Sequence, residues 1–287
     1  MNNSRHGLYV SSAILIALAS ACTSDEEPAP SEDSASQPQT PEPTAPSSDR
    51  LDASSRAELI AAGGLRYRGQ ARITGEADQG STVRVSFDPD SGPICLRGDE
   101  YAAFYTDRGS DKTLILLDGG GACWTGMCQA ESKADPSIDP KSPAALLSQQ
   151  FTDWNVLFAP YCDGSVFWGD NVLTESDGST RYQHGRQNLA AALDLAEQHF
   201  GASKQLLLAG WSAGGYGTLL ATLDVRLRFP ETELAVINDS GPGLQNNAQV
   251  EAIEARLNDW RVSSICPIAA AHAKVGAASG SSSWPGP

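Results

Sequence analysis

Leu206–Leu220 reads LLLAGWSAGGYGTLL, and the interpretation of the whole chain turns on it. Leu206 to Ala209 is an apolar run of the length and composition of a buried parallel strand. From Ala213 onward, Leu219, Leu220 and Leu223 fall at helical spacing. Between them, Gly210-Trp211-Ser212-Ala213-Gly214 matches G-x-S-x-G. An abrupt strand-to-helix turn strains the residue at its tip, and glycines two before and two after let neighbouring backbone approach. Ser212 is the predicted tip, with its hydroxyl at the carboxyl end of a sheet. The Ala213 amide and the helix N-terminus stand beside it, where they can hold an oxyanion. The plainer alternative is a glycine-rich turn with an incidental serine. The strand and helix on either side favour the nucleophile.

Working outward, Thr82 to Phe87 alternates polar and apolar residues as an early antiparallel strand does, and Tyr101 to Thr106 reads as a second. Thr113 to Leu117 is continuously apolar, the pattern of a strand covered on both faces, and it runs into Asp118-Gly119-Gly120-Gly121-Ala122-Cys123-Trp124. Trp154 to Pro160 and Glu233 to Ile237 are further buried-strand candidates. Arg181 to Phe200 places Leu189, Leu193, Ala196 and Phe200 at helical spacing, and a helix is expected over Asn247 to Trp260. Strands alternating with helices predict an α/β fold, α/β-hydrolase-like, with a mostly parallel sheet and helices on both faces. By itself a glycine triplet is more often a plain loop, but upstream of such an elbow it gains weight as the second half of the oxyanion site. The loop from Tyr161 to Asp170 leaves the sheet's carboxyl edge, so Asp163, Trp168 and Asp170 either line a substrate pocket or simply form turns. His184 and His199 mark the ends of the crossover helix and precede Ser212. They are expected to cap or to lie on the surface, because the acid and base of this fold follow the serine.

The 287 residues, 40% of them hydrophobic, suffice for one large domain. A net charge of -15 argues against a nucleic-acid partner, because tracking phosphates takes clustered Lys and Arg. Four histidines, His6, His184, His199 and His272, leave little for a multi-histidine metal site, and neither a metal nor a cofactor is expected. Residues 1–22 carry one positive charge and then about a dozen apolar positions, too short to span a bilayer, as an export signal does. The signal ends Leu18-Ala19-Ser20-Ala21-Cys22, which resembles a bacterial lipobox and would make Cys22 a lipid-bearing amino terminus. An ordinary cleavage after Ala-Ser-Ala is the alternative. Residues 23–50 are rich in Pro, Ser and acids, with almost nothing to bury, and read as a disordered tether. The expected organisation is thus signal 1–22, tether 23–50 and catalytic domain 51–287, exported, lipid-anchored to a bacterial membrane and monomeric.

Besides Cys22, the cysteines are Cys95, Cys123, Cys128, Cys162 and Cys266. Export makes disulfides reasonable, and the spacing of Cys123 and Cys128 argues for closing a small loop between them. Zinc is the alternative for that pair, but it lacks a second pair of ligands.

Four stretches together, LLDGGGACW (Leu116 to Trp124), PYCDGSVFWGD (Pro160 to Asp170), AGWSAGGYGTLL (Ala209 to Leu220) and NDSG (Asn238 to Gly241), resemble the pectin acetylesterase and Notum family of serine carboxylesterases. The resemblance covers roughly Pro93 to Cys266. It implies an α/β hydrolase acting on acyl esters, with O-acetyl groups on a polysaccharide such as pectin as the expected substrate. By position it implies Ser212 as nucleophile, the amides of Gly120, Gly121 and Ala213 as the oxyanion hole, and disulfides Cys95 to Cys162 and Cys123 to Cys128, leaving Cys266 unpaired. The family keeps its catalytic Asp and His far downstream of the serine. Here 75 residues follow Ser212, with no stretch like either motif. One expectation is therefore a domain shortened, or altered in reading frame, near residue 270. A triad of Ser212, Asp239 and His272 preserves the order serine, acid, histidine and is the other. A carbohydrate-binding or scaffold lipoprotein that keeps the fold without catalysis is the rival function.

Overall fold

Thr113–Leu117 and Leu206–Ala209, the two most apolar runs, lie side by side in parallel register, with Leu207 opposite Leu114 and Gly210 opposite Leu117. In this computed structural model the described residues are 51–134, 137–138, 143–241, 256 and 258–261. Cys22 with the signal and tether, Cys266, His272 and most of the helix expected over 247–260 lie outside them.

In chain order the elements are α1 (Ala53–Ala61), β1 (Ile73–Gln79), β2 (Thr82–Phe87), β3 (Ala102–Thr106), β4 (Lys112–Leu117), β5 (Gly121–Trp124), β6 (Met127–Ala130), α2 (Pro143–Ser148), β7 (Asn155–Ala159), β8 (Asn171–Thr174), β9 (Thr180–Gln183), α3 (Gly185–Phe200), β10 (Gln205–Trp211), α4 (Ala213–Arg228) and β11 (Glu233–Asp239). Seven strands form one sheet in the order β1-β2-β3-β7-β4-β10-β11. The pairs from β7 to β11 are parallel and those from β1 to β7 antiparallel, so five of the seven strands point the same way.

Side chains alternate across the central strands, and each face has its own cover. Ile115, Leu117, Leu157 and Leu208 meet Leu189, Leu193 and Ala196 of α3 and Ala221 and Val225 of α4. Leu114, Leu116, Val156, Phe158 and Leu207 form the second layer, with Leu147, Phe151 and Trp154 against it. Each such aliphatic side chain contributes about 1.5–3 kcal/mol when fully buried. That is why the continuous apolar runs mark the middle of the sheet.

Two expectations are corrected. Glu233–Ile237 is not a fully covered strand: its residues alternate between exposed and half-buried, and Ile237 is 42% exposed. Among the described residues β11 pairs only with β10, and α4 covers one of its faces. Arg181 lies outside the crossover helix, in β9, which pairs with β8 around a turn where Gly178 takes φ 85. The helix begins at Gly185, after the hairpin has brought the chain back to the sheet.

Both implied disulfides form. Cys95 bonds Cys162 across a sequence separation of 67, and Cys123 bonds Cys128, its partner in the β5/β6 register, across a separation of 5. Loop-closure entropy grows with the logarithm of loop length, so removing the long-range bridge in Cys95→Ser/Cys162→Ser should cost about 4 kcal/mol and removing the short one about 2. Denaturant titration of the two double variants checks the order; an equal or reversed cost would contradict it.

α1 and the segment after it are fastened to the rest of the domain by polar contacts. Arg56 donates to the Leu227 carbonyl at 2.8 Å, the Gly69 amide to Asp194 at 2.8 Å and the Tyr67 hydroxyl to Asp170 at 2.6 Å. Buried Arg228 pairs with Asp194 at 2.5 Å and with Glu197 at 3.1 Å, and Arg68 also pairs with Glu197. No helix among the described residues is long and apolar enough to cross a membrane.

Candidate active site

Ser212 sits between the last residue of β10 and the first of α4 with φ 51 and ψ -119. Conformations with positive φ are costly for a residue bearing a Cβ and persist only where the surroundings impose them. Here the imposing contacts are visible. The Ser212 amide donates to the Asp239 carbonyl of β11 at 2.9 Å, and the Tyr216 amide donates to the Ser212 carbonyl at 3.2 Å, closing the first turn of α4. Gly210 faces the Gly214 backbone so closely that a Cβ on it would overlap the Gly214 carbonyl oxygen. A Cβ on Gly214 would overlap the Leu117 carbonyl oxygen and lie 2.5 Å from that of Asp118. The two glycines of the motif thus let the helix start press against the end of β4, and Ser212 is left exposed.

The same contacts bring the glycine triplet to the serine. A Cβ on Gly119 would lie 2.8 Å from the Trp211 ring and 3.0 Å from the Trp211 carbonyl, the residue before Ser212. The Gly119 amide is engaged by the Asp118 carboxylate at 2.8 Å. Gly120 lies under the Tyr161 ring, and its carbonyl accepts from the Glu131 amide at 2.8 Å. Gly121, at φ 82, opens the β5/β6 hairpin against the Gln129 carbonyl, where a Cβ would collide. Ala213 is the first residue of α4, and the leading amides of a helix have no partner within it. Ser212, the glycine loop and the start of α4 therefore meet at one end of the sheet.

Of the three loop residues left open above, only Trp168 reaches the elbow helix, its indole N–H donating to the Tyr216 carbonyl at 3.0 Å. Asp170 accepts from Tyr67 and Gln187 and belongs to the scaffold. Asp163 is fully buried and takes no part in a pocket lining: one of its oxygens accepts from the Ser165 amide at 2.8 Å and from the Ser165 hydroxyl, while the other has no partner. That loop in turn holds the glycine hairpin, because the Cys123 amide donates to the Gly164 carbonyl at 2.6 Å.

Burial pushes the Asp163 carboxyl up to about 6, against the pull of its Ser165 hydrogen bonds. The folded protein then holds a proton that the unfolded chain has lost, so this group's contribution makes stability fall as pH rises from about 4 to about 6 and level off above. Asp163→Asn keeps an oxygen acceptor for Ser165 and cannot ionise. It should flatten the slope in that window, a gain on the order of 2–3 kcal/mol at pH 7 relative to pH 4. Urea midpoints of both proteins across that range are the check, and parallel profiles would refute it. Asp224 behaves alike: burial between α3 and α4 raises it to about 6, with Arg186 and Arg228 opposing. It lies three turns along α4 from Ser212 and belongs to the helix interface.

Asp239, the best-placed acid in the sequence, offers Ser212 its carbonyl, while its carboxylate accepts from the Ser240 hydroxyl at 3.0 Å. Beside it, Leu147, Gln150, Trp211 and Ile237 line a cavity of about 350 Å³. Neither described histidine is engaged with Ser212. His184 bonds the Gly92 carbonyl through Nδ1 at 2.7 Å, and it stands at the start of α3 without capping it by a side-chain hydrogen bond. His199 stacks on Tyr105 at 4.1 Å. Among the described residues no group of three or more His, Cys, Asp or Glu is placed to hold a metal ion.

Comparison with known proteins agrees with this arrangement. Residues 77–255, which include the glycine loop, the elbow and β11, match the Pectinacetylesterase family. The chain belongs to that family. Among curated relatives it is 30% identical to the palmitoleoyl-protein carboxylesterase notum1 of Xenopus laevis, over 53% of this chain and 38% of that protein. It is 26% identical to pectin acetylesterase 5 of Arabidopsis thaliana, over 52% and 39%, and 27% identical to the human palmitoleoyl-protein carboxylesterase NOTUM, over 53% and 37%. The matched region is less than two fifths of the length of each. In this pectinacetylesterase-family chain, Tyr161 packs behind Gly120 and Tyr216 stands one turn beyond Ser212, neighbours that the sequence patterns did not single out. The spacing of four between Ser212 and Tyr216 was the available signal.

Proposed function

We propose that this chain is a serine carboxylesterase that hydrolyses acyl esters, O-acetyl groups on a polysaccharide foremost, through Ser212. The observation that carries the reading is the strained, exposed Ser212 beside the glycine loop, an arrangement with no purpose for packing. The Ser212 oxygen attacks the ester carbonyl, and the amides of Gly120, Gly121 and Ala213 stabilise the tetrahedral oxyanion. The alcohol leaves, and water then hydrolyses the acyl-enzyme. The names of the relatives support esters of two sizes, acetyl on pectin and palmitoleoyl on protein. In the same reading Cys22 carries a lipid, and residues 23–50 hold a monomeric domain clear of the membrane. Mass spectrometry of the chain quenched early with p-nitrophenyl acetate should find an acetyl group on the Ser212 peptide; hydrolysis with no serine adduct would count against the mechanism.

The rival reading, a fold kept for carbohydrate binding or scaffolding, expects the same hydrolysis rate with and without the Ser212 hydroxyl.

A further inference from the structure

Val166 and Phe167, consecutive residues of the loop between β7 and β8, both take positive φ, 52 and 65. A β-branched valine followed by a phenylalanine in that region is an outlier that only its surroundings can impose. The imposing contacts start from one buried pair. Asp163 and Ser165 are both fully buried, and Asp163 Oδ2 accepts from the Ser165 amide at 2.8 Å and from its hydroxyl. Ser165 in turn closes the bend: its Oγ accepts from the Gly169 amide at 3.0 Å and its carbonyl from the Trp168 amide at 2.9 Å. Gly185 backs it, since a Cβ there would lie 2.5 Å from Asp163 Oδ2 and 2.7 Å from Phe167 Cα.

The bend reaches both halves of the candidate site. Toward the glycine loop, the Gly164 carbonyl accepts from the Cys123 amide at 2.6 Å. Tyr161, whose hydroxyl accepts from the Val166 amide at 3.1 Å, has its ring against Gly120. Toward the elbow, a Cβ on Gly217 would lie 2.7 Å from the Phe167 ring, and the Trp168 indole N–H donates to the Tyr216 carbonyl at 3.0 Å. The pairing of β4 with β10 ends at Leu117 and Gly210, so the glycine loop and Ser212 are placed by contacts beyond the sheet ladder. Placement matters, because a displacement of about 1 Å between reacting groups can cost about a hundredfold in rate.

We propose that Asp163 is a positioning residue for ester hydrolysis: by holding Ser165 it keeps the bend at Val166 and Phe167 in its strained form, and the bend sets the glycine loop against the start of α4. The proposal rests on the ester-hydrolase reading and adds to it a buried carboxylate that never meets the substrate.

On the full chain, Asp163→Ala should lower kcat for p-nitrophenyl acetate about tenfold or more per folded molecule while KM stays within about twofold. Asp163→Asn, which keeps an acceptor for Ser165, should stay within about threefold of the wild-type kcat. Amide hydrogen exchange in Asp163→Ala should quicken about tenfold or more at both 119–124 and 212–218 and stay unchanged at 113–117. A folded Asp163→Ala with wild-type kcat, an asparagine as harmful as the alanine, or faster exchange confined to 161–170 overturns the proposal. If Asp163→Ala does not fold, Trp168→Phe decides: losing the indole N–H should lower kcat about threefold and quicken exchange at 212–218, and no change in either overturns it. If the wild-type chain does not hydrolyse the ester, the hydrolase reading fails by itself, and exchange at the two segments still upholds or overturns the role of Asp163 in holding them together.

Discussion

Ser212→Ala should lower hydrolysis of p-nitrophenyl acetate by at least about a thousandfold in kcat, leaving the small residual rate that an oxyanion site and binding provide alone. The size follows from what is removed. Without the hydroxyl no acyl-enzyme forms, and the two-step route reverts to direct attack by water. The fold should survive, because the side chain is exposed and alanine carries the same Cβ into the same φ of 51. Matching unfolding curves for the two proteins would establish that the loss is chemical. Equal rates for the wild-type chain and Ser212→Ala would instead assign the fold to binding, and the proposed mechanism would be withdrawn.

The second large effect is on stability. Gly214→Ala should cost about 3 kcal/mol or more, the upper end of overpacking, because the opposing atoms cannot move aside. The obstructing atoms are the carbonyl oxygens of Leu117, the last residue of β4, and of Asp118 just after it, fixed by the pairing of β4 with β7 and β10 and by the Asp118 amide bonding the Ala159 carbonyl. For the methyl to fit, α4 must shift away from the sheet, and that shift would carry Ser212 away from the glycine loop. Activity should therefore fall further than stability alone explains. Gly126→Ala is the control: unlike Gly214 it has a positive φ, 85, but nothing lies within 4 Å of the added carbon, so its cost should stay near the 1–2 kcal/mol of backbone strain. Guanidinium unfolding of both variants measures the difference, and comparable costs would mean that the elbow is looser than its contacts imply.

Much of the architecture was readable because its signals are local. Thr82–Phe87 is a strand with the bounds its alternation indicates, and the apolar runs at Thr113–Leu117 and Leu206–Ala209 became central parallel strands. The hairpins escaped notice although their turns were present. Thr125-Gly126 joins β5 to β6, and Asp177-Gly178 lies in the turn between β8 and β9, but the flanking strands are four residues long and lack strong apolar alternation. The β11 sequence, ELAVIND, suggests full burial, yet how many faces of a strand are covered depends on neighbours that its own residues do not specify.

By itself the sequence determined that a serine would stand on a glycine-flanked bend between strand and helix, because that conformation is set by residues within two positions of the tip. It also named the glycine loop and, through family resemblance, both disulfide pairs. Only the tertiary structure decided which polar groups meet there. Asp163 turned inward to hold Ser165, Asp239 offered its carbonyl to Ser212, His184 and His199 found partners elsewhere, and Tyr216 came to face solvent beside the nucleophile. The physical reason is that a residue's chemistry is fixed by its own atoms, whereas burial and partners are properties of the space between distant segments, created only when the sheet closes.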